Sequence, residues 1–276
     1  MDDPHPPAPQ LNESRLLTPF ESTHIPEHYK EYYQAKRNNL FATIQGFPYL
    51  WETCMRLDAV WERGIRDLNI PGRPNELLPL QLYLAAHAKV RIVIELAMSC
   101  CPGEARSVLR DAVECAAHAH RMCVAPHLQV VWISKEEDEK AFKQAFEHNK
   151  KEGLFLGLEE LYRAWGTLSE TGSHATVASL AGRSSYTPQS DGGAEFLLHY
   201  TGGVLNTLIP SIFEMLLTCS TMENTFFRDF EDRLSLDHIL VAQRHEFNTF
   251  KEAVRRQVIS EFKIDPPECP PDCPIV

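Results

Sequence analysis

The sequence lacks the short motifs that mark the common catalytic sites. It has no phosphate-binding glycine loop, no Gly-x-Ser-x-Gly turn and no His-Glu-x2-His pair. The Glu-x2-His spacing of di-iron bundles is missing too, because Glu27-His28 and Glu147-His148 are adjacent pairs. We therefore expect neither a metal ion nor an organic cofactor.

A basic run is also missing. The formal net charge is -11, and the densest basic pairs are Lys150-Lys151 and Arg255-Arg256. Proteins that bind nucleic acid rely on lysine and arginine contacts to the phosphates. The charge balance therefore disfavours a nucleic-acid partner, although it leaves room for a local basic groove.

The chain shows little that would send it to a membrane or out of the cell. Residues 1–10 are acidic and rich in proline, unlike a signal peptide. The stretch from Val204 to Cys219 is apolar but too short to span a bilayer comfortably, and it contains Asn206, Pro210 and Glu214. We expect a soluble, cytoplasmic protein that does not bind membranes.

Cysteine, in contrast, is well represented, with eight residues in the chain. Without a secretory signal, reduced thiols are the default. Cys269 and Cys273 have the spacing of half a metal site, but no second pair lies nearby. The proline-rich segment around them is typical of a solvated tail, and the role of the two thiols stays open.

Apolar residues recur at helical spacing over most of the chain, which predicts an all-α bundle of about seven or eight helices. We expect a mobile arm over 1–22, a single helical domain over 23–263 and a flexible tail over 264–276. The segment 173–203 is rich in glycine, serine and threonine, and it predicts one irregular insertion, with alternation that permits a small β-hairpin.

Two central helices carry polar side chains at every fourth position. On the first these are His87, Arg91 and Glu95. On the second they are Arg106, Arg110, Glu114 and His118. Residues four apart share a helical face, and the short connection at Cys101-Pro102-Gly103 predicts that the two helices pack antiparallel. Glu95 would then lie at the height of Arg106 or Arg110.

Two interpretations of these polar stripes remain. They are either salt bridges on partly exposed faces, each contributing a few tenths of a kcal/mol, or the lining of a polar pocket between helices, where bundles place ligand and catalytic sites. In the second case all seven residues are candidates for binding or catalysis.

A second candidate segment runs from Trp165 to His174, where a helix ends and the irregular insertion begins. Ser169 and His174 could hydrogen-bond the last carbonyls of the helix. Alternatively, His174 acts as a general base or contacts a phosphate, and Ser169 contributes to binding.

The segments ARSVLRDAVECAAHAHR and YRAWGTLSETGSH resemble a bacterial all-helical family defined only as a domain of unknown function. That family combines an Arg-x3-Glu helix with an aromatic-x2-Leu-Ser segment and a nearby histidine. The resemblance implies a helical bundle. It also implies a more distant similarity to the HEPN ribonucleases. Their Arg-x4–6-His signature is met by Arg121…His127 and Arg233…His238, which is no more than chance provides.

Three functions follow as hypotheses. The first is an interaction or ligand-sensing module of bacterial type, with a protein partner or a small polar ligand between its helices. The second is a HEPN-like ribonuclease or a related enzyme of a defence or toxin system, with Arg110, Glu114 and His174 as catalytic residues. The third is a structural homo-oligomer, a homodimer for example, formed through the apolar face of the last helix.

Overall fold

The computed structural model describes the greater part of the chain. The described residues are 26–69, 74–173, 184–189, 193–198, 205–234 and 237–264. The predicted N-terminal arm, 1–22, lies outside them, and so does the predicted tail apart from Ile264.

The prediction of an all-α bundle is confirmed. The described residues form nine α-helices: α1 (Glu27–Gly46), α2 (Pro48–Arg66), α3 (Pro74–Met98), α4 (Pro102–Val124), α5 (Leu128–Ile133), α6 (Glu139–Phe142), α7 (Glu159–Leu168), α8 (Leu205–Asp229) and α9 (His238–Phe262). Two short π-helical turns, Lys143–Glu147 and Ser169–Ser173, follow α6 and α7. The helices outnumber the prediction because α5 and α6 are too short to produce a periodic pattern.

Helices α3 and α4 form the central hairpin and contact each other along their length. The turn between them is tight, with Cys100 in the left-handed region at φ 60°. Lys89 on α3 lies 3.6 Å from Asp111 on α4. Because these residues are equally far from the turn, the pair is antiparallel, as predicted.

Helices α2, α8 and α9 complete the core around the hairpin. Gly64 permits α2 and α8 to approach each other closely, because a Cβ at this position would lie 2.6 Å from the Phe227 ring of α8. The predicted apolar face of α9 packs on α2, and Phe247, Val254 and Val258 are buried. That face is therefore buried against α2 within the chain, and pairing of two copies stays a prediction.

The insertion contains the small antiparallel hairpin that the alternation permits. Strands β1 (Ser184–Pro188) and β2 (Ala194–Leu198) pair in the register Ser184 with Leu198.

One described helix, Leu77–Met98, has the length and apolar composition of a membrane-spanning segment. The apolar stretch considered from the sequence, Val204 to Cys219, is a different one. A core helix of a soluble bundle meets the same criterion, and Tyr83, Val90 and Met98 of this helix are fully buried in the core. The helix is therefore weak support for a membrane location.

Candidate functional site

Three of the predicted site residues meet between α4 and the end of α7. The Arg110 guanidinium donates from Nε to Ser169 Oγ at 2.9 Å and from Nη2 to Glu114 Oε1 at 3.2 Å. Ser169 Oγ donates in turn to the carbonyl of Trp165 at 2.8 Å. The hydroxyl therefore has a fixed orientation, with its proton toward α7 and a lone pair toward Arg110.

Two further residues, which the sequence did not assign to the site, complete this cluster. Trp165 Nε1 donates to Glu114 Oε1 at 2.8 Å, and Lys150 Nζ approaches the same oxygen at 3.5 Å. Both cations also lie over the Trp165 ring, with Arg110 Cζ at 5.4 Å and Lys150 Nζ at 4.4 Å from its centroid. One carboxylate oxygen thus receives donors from α4, α7 and the loop before α7. We call Arg110, Glu114, Lys150, Trp165 and Ser169 the Glu114 cluster.

The local sequence explains how α7 presents its part of the cluster. Leu161 and Leu168 are buried and fix one face of α7 in the core. Trp165 and Ser169 are four residues apart, so they lie on a common side of the helix. The Trp165 ring stacks at 14° on Tyr162 and contacts Phe155, which holds the indole in place.

The Glu114 cluster is half-buried and carries one net positive charge, from two cations and one carboxylate. The side chains of Arg110, Glu114 and Lys150 are 26%, 28% and 29% exposed. Partial burial strengthens charge interactions relative to bulk water, while the remaining exposure leaves the cluster accessible to a small solute.

His118, one turn beyond Glu114, lies apart from these hydrogen bonds in an aromatic box. Its ring stacks on Phe142 and contacts Phe146 and Trp132. Nδ1 is buried and has no hydrogen-bond partner among the described residues. Burial lowers the pKa of His118 to about 4, although nearby Glu114 opposes the shift. The side chain is therefore neutral at pH 7.

Arg106 begins the polar stripe of α4 and turns toward α8. Its Nη2 donates to Ser211 Oγ at 2.8 Å. It also lines a cavity of about 20 Å³ between α4, α7 and α8, large enough for one water molecule. The other lining residues are Ala164, Thr167, Leu168, Thr171, Glu214, Met215 and Thr218.

The polar stripe of α3, His87, Arg91 and Glu95, does not join the polar stripe of α4. His87 Nε2 lies 2.8 Å from Asp58 Oδ1, and Arg91 binds both oxygens of that carboxylate at 2.7 and 3.1 Å. Glu95 pairs with Lys36 at 2.9 Å. Glu95 therefore pairs with α1 instead of with Arg106 or Arg110, because the α3 stripe faces α1 and α2.

The remaining predicted residue, His174, lies outside the described residues. Its approach to Arg110 and Glu114, and with it the catalytic role, stays a prediction.

The structure also shows a buried network that the sequence did not reveal. His120 Nδ1 lies 2.8 and 3.0 Å from the two oxygens of Asp229, and the Tyr83 hydroxyl donates to the same carboxylate at 2.5 Å. The three residues come from α4, α8 and α3. A histidine and a tyrosine inside apolar helices were the available signals, but the carboxylate they share is more than one hundred residues away in the sequence.

No group of three His, Cys, Asp or Glu side chains that could hold a metal ion occurs among the residues described. Comparison with known proteins finds no significant match to a protein-family model, a curated protein or a solved structure. The fold and the Glu114 cluster together define an all-α bundle with a polar site between helices. The resemblance to the bacterial domain family stays a prediction.

Proposed function

We propose that this protein is a ligand-sensing module that binds a small anion, a carboxylate or a phosphate group, at the Glu114 cluster. The proposal keeps the first of the three hypotheses from the sequence and names the chemical class of the ligand.

The observation that carries the proposal is the convergence of three donors on one oxygen of Glu114. Arg110, Lys150 and Trp165 belong to three different segments, yet all three approach Glu114 Oε1 within 3.5 Å. Donors arranged in this way surround an anion. We infer that Glu114 is the internal occupant of an anion site, and that an incoming anion replaces it.

The surroundings fit a small ligand with a planar or apolar part. Trp165 offers a ring beside the two cations, and aromatic side chains commonly support bound ligands in sites that are otherwise lined by a few polar groups. Arg106 lies one turn from Arg110 on α4 and has Ser211, an uncharged group, as its partner. A second anionic group of the ligand would find this guanidinium nearby.

The experiment is a titration of the whole protein with inorganic phosphate and, separately, acetate, monitored by isothermal calorimetry and by tryptophan fluorescence. Arg110→Ala should weaken binding by about ten- to a hundred-fold, because a hydrogen bond to a charged group contributes about 1.5–3 kcal/mol. Trp165→Phe should remove most of the fluorescence response while leaving calorimetric binding detectable.

The matched control is Arg56→Ala. Arg56 also pairs with a glutamate on its own helix, Glu52, and lies 4.8 Å from the centroid of an aromatic ring, Phe250. The Arg56→Ala variant should bind phosphate with the affinity of the wild type. Absence of binding by the wild type, or equal loss in both arginine variants, would reject the site.

We further propose that the protein works in the cytoplasm. The six cysteines of the described region are all free thiols, which fits a reducing compartment. Mass spectrometry after thiol alkylation of protein taken directly from cells should find them alkylated, and a disulfide among them would argue against this location.

A further inference from the structure

His120 has the geometry of a reactive histidine at a second site, which shares α4 with the Glu114 cluster but none of its residues. Nδ1 lies within hydrogen-bond distance of both oxygens of Asp229, whose side chain is only 4% exposed. In the neutral imidazole, a carboxylate at Nδ1 favours the tautomer that carries its proton there, and the lone pair then resides on Nε2.

Asp229 is itself held in place. The Tyr83 hydroxyl, which is fully buried, donates to Oδ2 at 2.5 Å. The Arg228 guanidinium lies 3.9 Å from Oδ1. Tyr83 and Asp229 are therefore positioning residues that fix both the tautomer and the orientation of the imidazole.

Nε2 lies beside an exposed surface residue, Gly157, although His120 as a whole is only 6% exposed. Nε2 makes no hydrogen bond with any described residue, and it is not among the polar atoms that are both fully buried and unpaired. Gly157, exposed and at φ 75°, lies in front of it: a Cβ at this position would meet Nε2 at 3.9 Å and no other atom within 4 Å. The missing side chain of Gly157 thus leaves a path to the nitrogen.

Two exposed apolar side chains lie close to Gly157 and His120 along the chain. Leu156, which precedes Gly157, is 48% exposed, and Val124, one turn beyond His120 on α4, is 59% exposed.

We propose that His120 is a catalytic residue that attacks small apolar carboxylic esters through Nε2. The Nε2 lone pair adds to the carbonyl carbon, and the alcohol oxygen leaves with the bonding electron pair. Water then hydrolyses the acyl-imidazolium: its hydroxyl goes to the acyl carbon and its proton to the departed alkoxide. Ester and water thus yield a carboxylic acid and an alcohol, and the imidazole is regenerated.

The test measures hydrolysis of p-nitrophenyl butyrate by the whole protein against free imidazole at equal concentration. The hydrolysis rate with the protein should exceed the rate with free imidazole by on the order of tenfold or more, because the imidazole of His120 is already oriented. We call this difference the excess rate. His120→Gln should abolish it, and His245→Gln, which alters an exposed histidine on α9, should preserve it. No excess rate in the wild type, or an undiminished excess rate in His120→Gln, would overturn the proposal.

A second variant separates chemistry from folding. Gly157→Asn places a side chain over Nε2 at a surface turn, and asparagine tolerates positive φ better than most residues. It should remove most of the excess rate while thermal unfolding stays near that of the wild type. An unchanged excess rate would refute access past Gly157. Asp229→Asn should lower the rate and, in ¹⁵N NMR of His120, redistribute the proton between the two ring nitrogens, which tests the positioning role directly.

Discussion

The polar stripes of α3 and α4 have the same four-residue spacing but different surroundings. On α3, His87 and Arg91 both bind the carboxylate of Asp58, and Glu95 pairs separately with Lys36. On α4, Arg110 and Glu114 bind each other and contact three more side chains, from α7, the turn that follows it and the loop that precedes it. The first stripe joins the central hairpin to α1 and α2, whereas the second forms a half-open site.

The difference shows what the spacing determines. Residues four apart share a face of the helix, but the neighbouring elements decide which charges they meet. Asp58 supplies a full carboxylate to the α3 stripe, so His87 and Arg91 already have a partner. The α4 stripe has to supply its own carboxylate, Glu114, which two cations and an indole share. Substitutions at His118, Asp58 and Glu95 sharpen this contrast, and their consequences for stability should decrease in that order.

The largest effect is expected at His118 in acid. Burial lowers the pKa of this histidine to about 4, against about 6.5 in an unfolded chain. The unfolded state therefore binds a proton first, and stability is lost as the pH falls from about 6.5 toward 4. His118→Phe, which fills the same aromatic box, should remove about 2 kcal/mol of this loss between pH 7 and pH 4.5.

Urea unfolding at the two pH values measures this effect. At pH 7 the variant should differ from the wild type by less than about 1 kcal/mol, because it removes a buried nitrogen that has no partner in the described part of the chain. An equally steep acid dependence in both proteins would show that His118 is not the responsible group.

A smaller effect is expected at Asp58, the centre of the α3 stripe. Burial alone would raise the pKa of Asp58, but hydrogen bonds from His87 and Arg91 outweigh it and lower the pKa to about 2. The charged carboxylate therefore stabilises the fold above about pH 4, and this contribution disappears as the pH falls toward 2. Asp58→Asn should cost about 1–2 kcal/mol at pH 7, allowing for solvent screening.

Chemical denaturation at pH 7 and pH 3 provides the measurement. The gap between wild type and Asp58→Asn should narrow at pH 3. A gap that stays constant would mean that the asparagine disturbs packing instead of removing a charge.

The smallest effect is expected at Glu95, which is 59% exposed. Its hydrogen bond raises the pKa of Lys36, but a pair so open to solvent contributes little. Glu95→Gln should change the free energy of unfolding by less than about 0.5 kcal/mol, and the difference should shrink in about 1 M salt. If Glu95→Gln lowered the free energy of unfolding more than Asp58→Asn does, the Lys36–Glu95 pair would contribute more than the contacts of Asp58, contrary to this expectation.

Much of the fold could be predicted because it depends on local patterns. The apolar periodicity located the long helices, and the short turn at Cys101 predicted the antiparallel pairing of α3 and α4. Arg110 and Glu114 were also accessible, since both lie on one helical face. Ser169 was assigned from its place at the end of a helix, and the structure brings it to Arg110.

What could not be predicted depends on packing between distant segments. Lys150 lies in an irregular loop, and no pattern indicates that it reaches Glu114. No sequence pattern singles out Asp58 on α2, although its carboxylate binds His87 and Arg91 of α3. The buried carboxylate of Asp229 is at the end of α8 and meets His120 only when α4 and α8 pack together. Such partners become visible only in three dimensions.

The direct test of the anion site is the affinity of Glu114→Gln for inorganic phosphate, measured by calorimetry at constant ionic strength. If Glu114 occupies a site built for anions, removing its charge frees Arg110 and Lys150, and phosphate should bind about tenfold more tightly than in the wild type. Weaker binding by the variant, or no binding by either protein, would contradict the account.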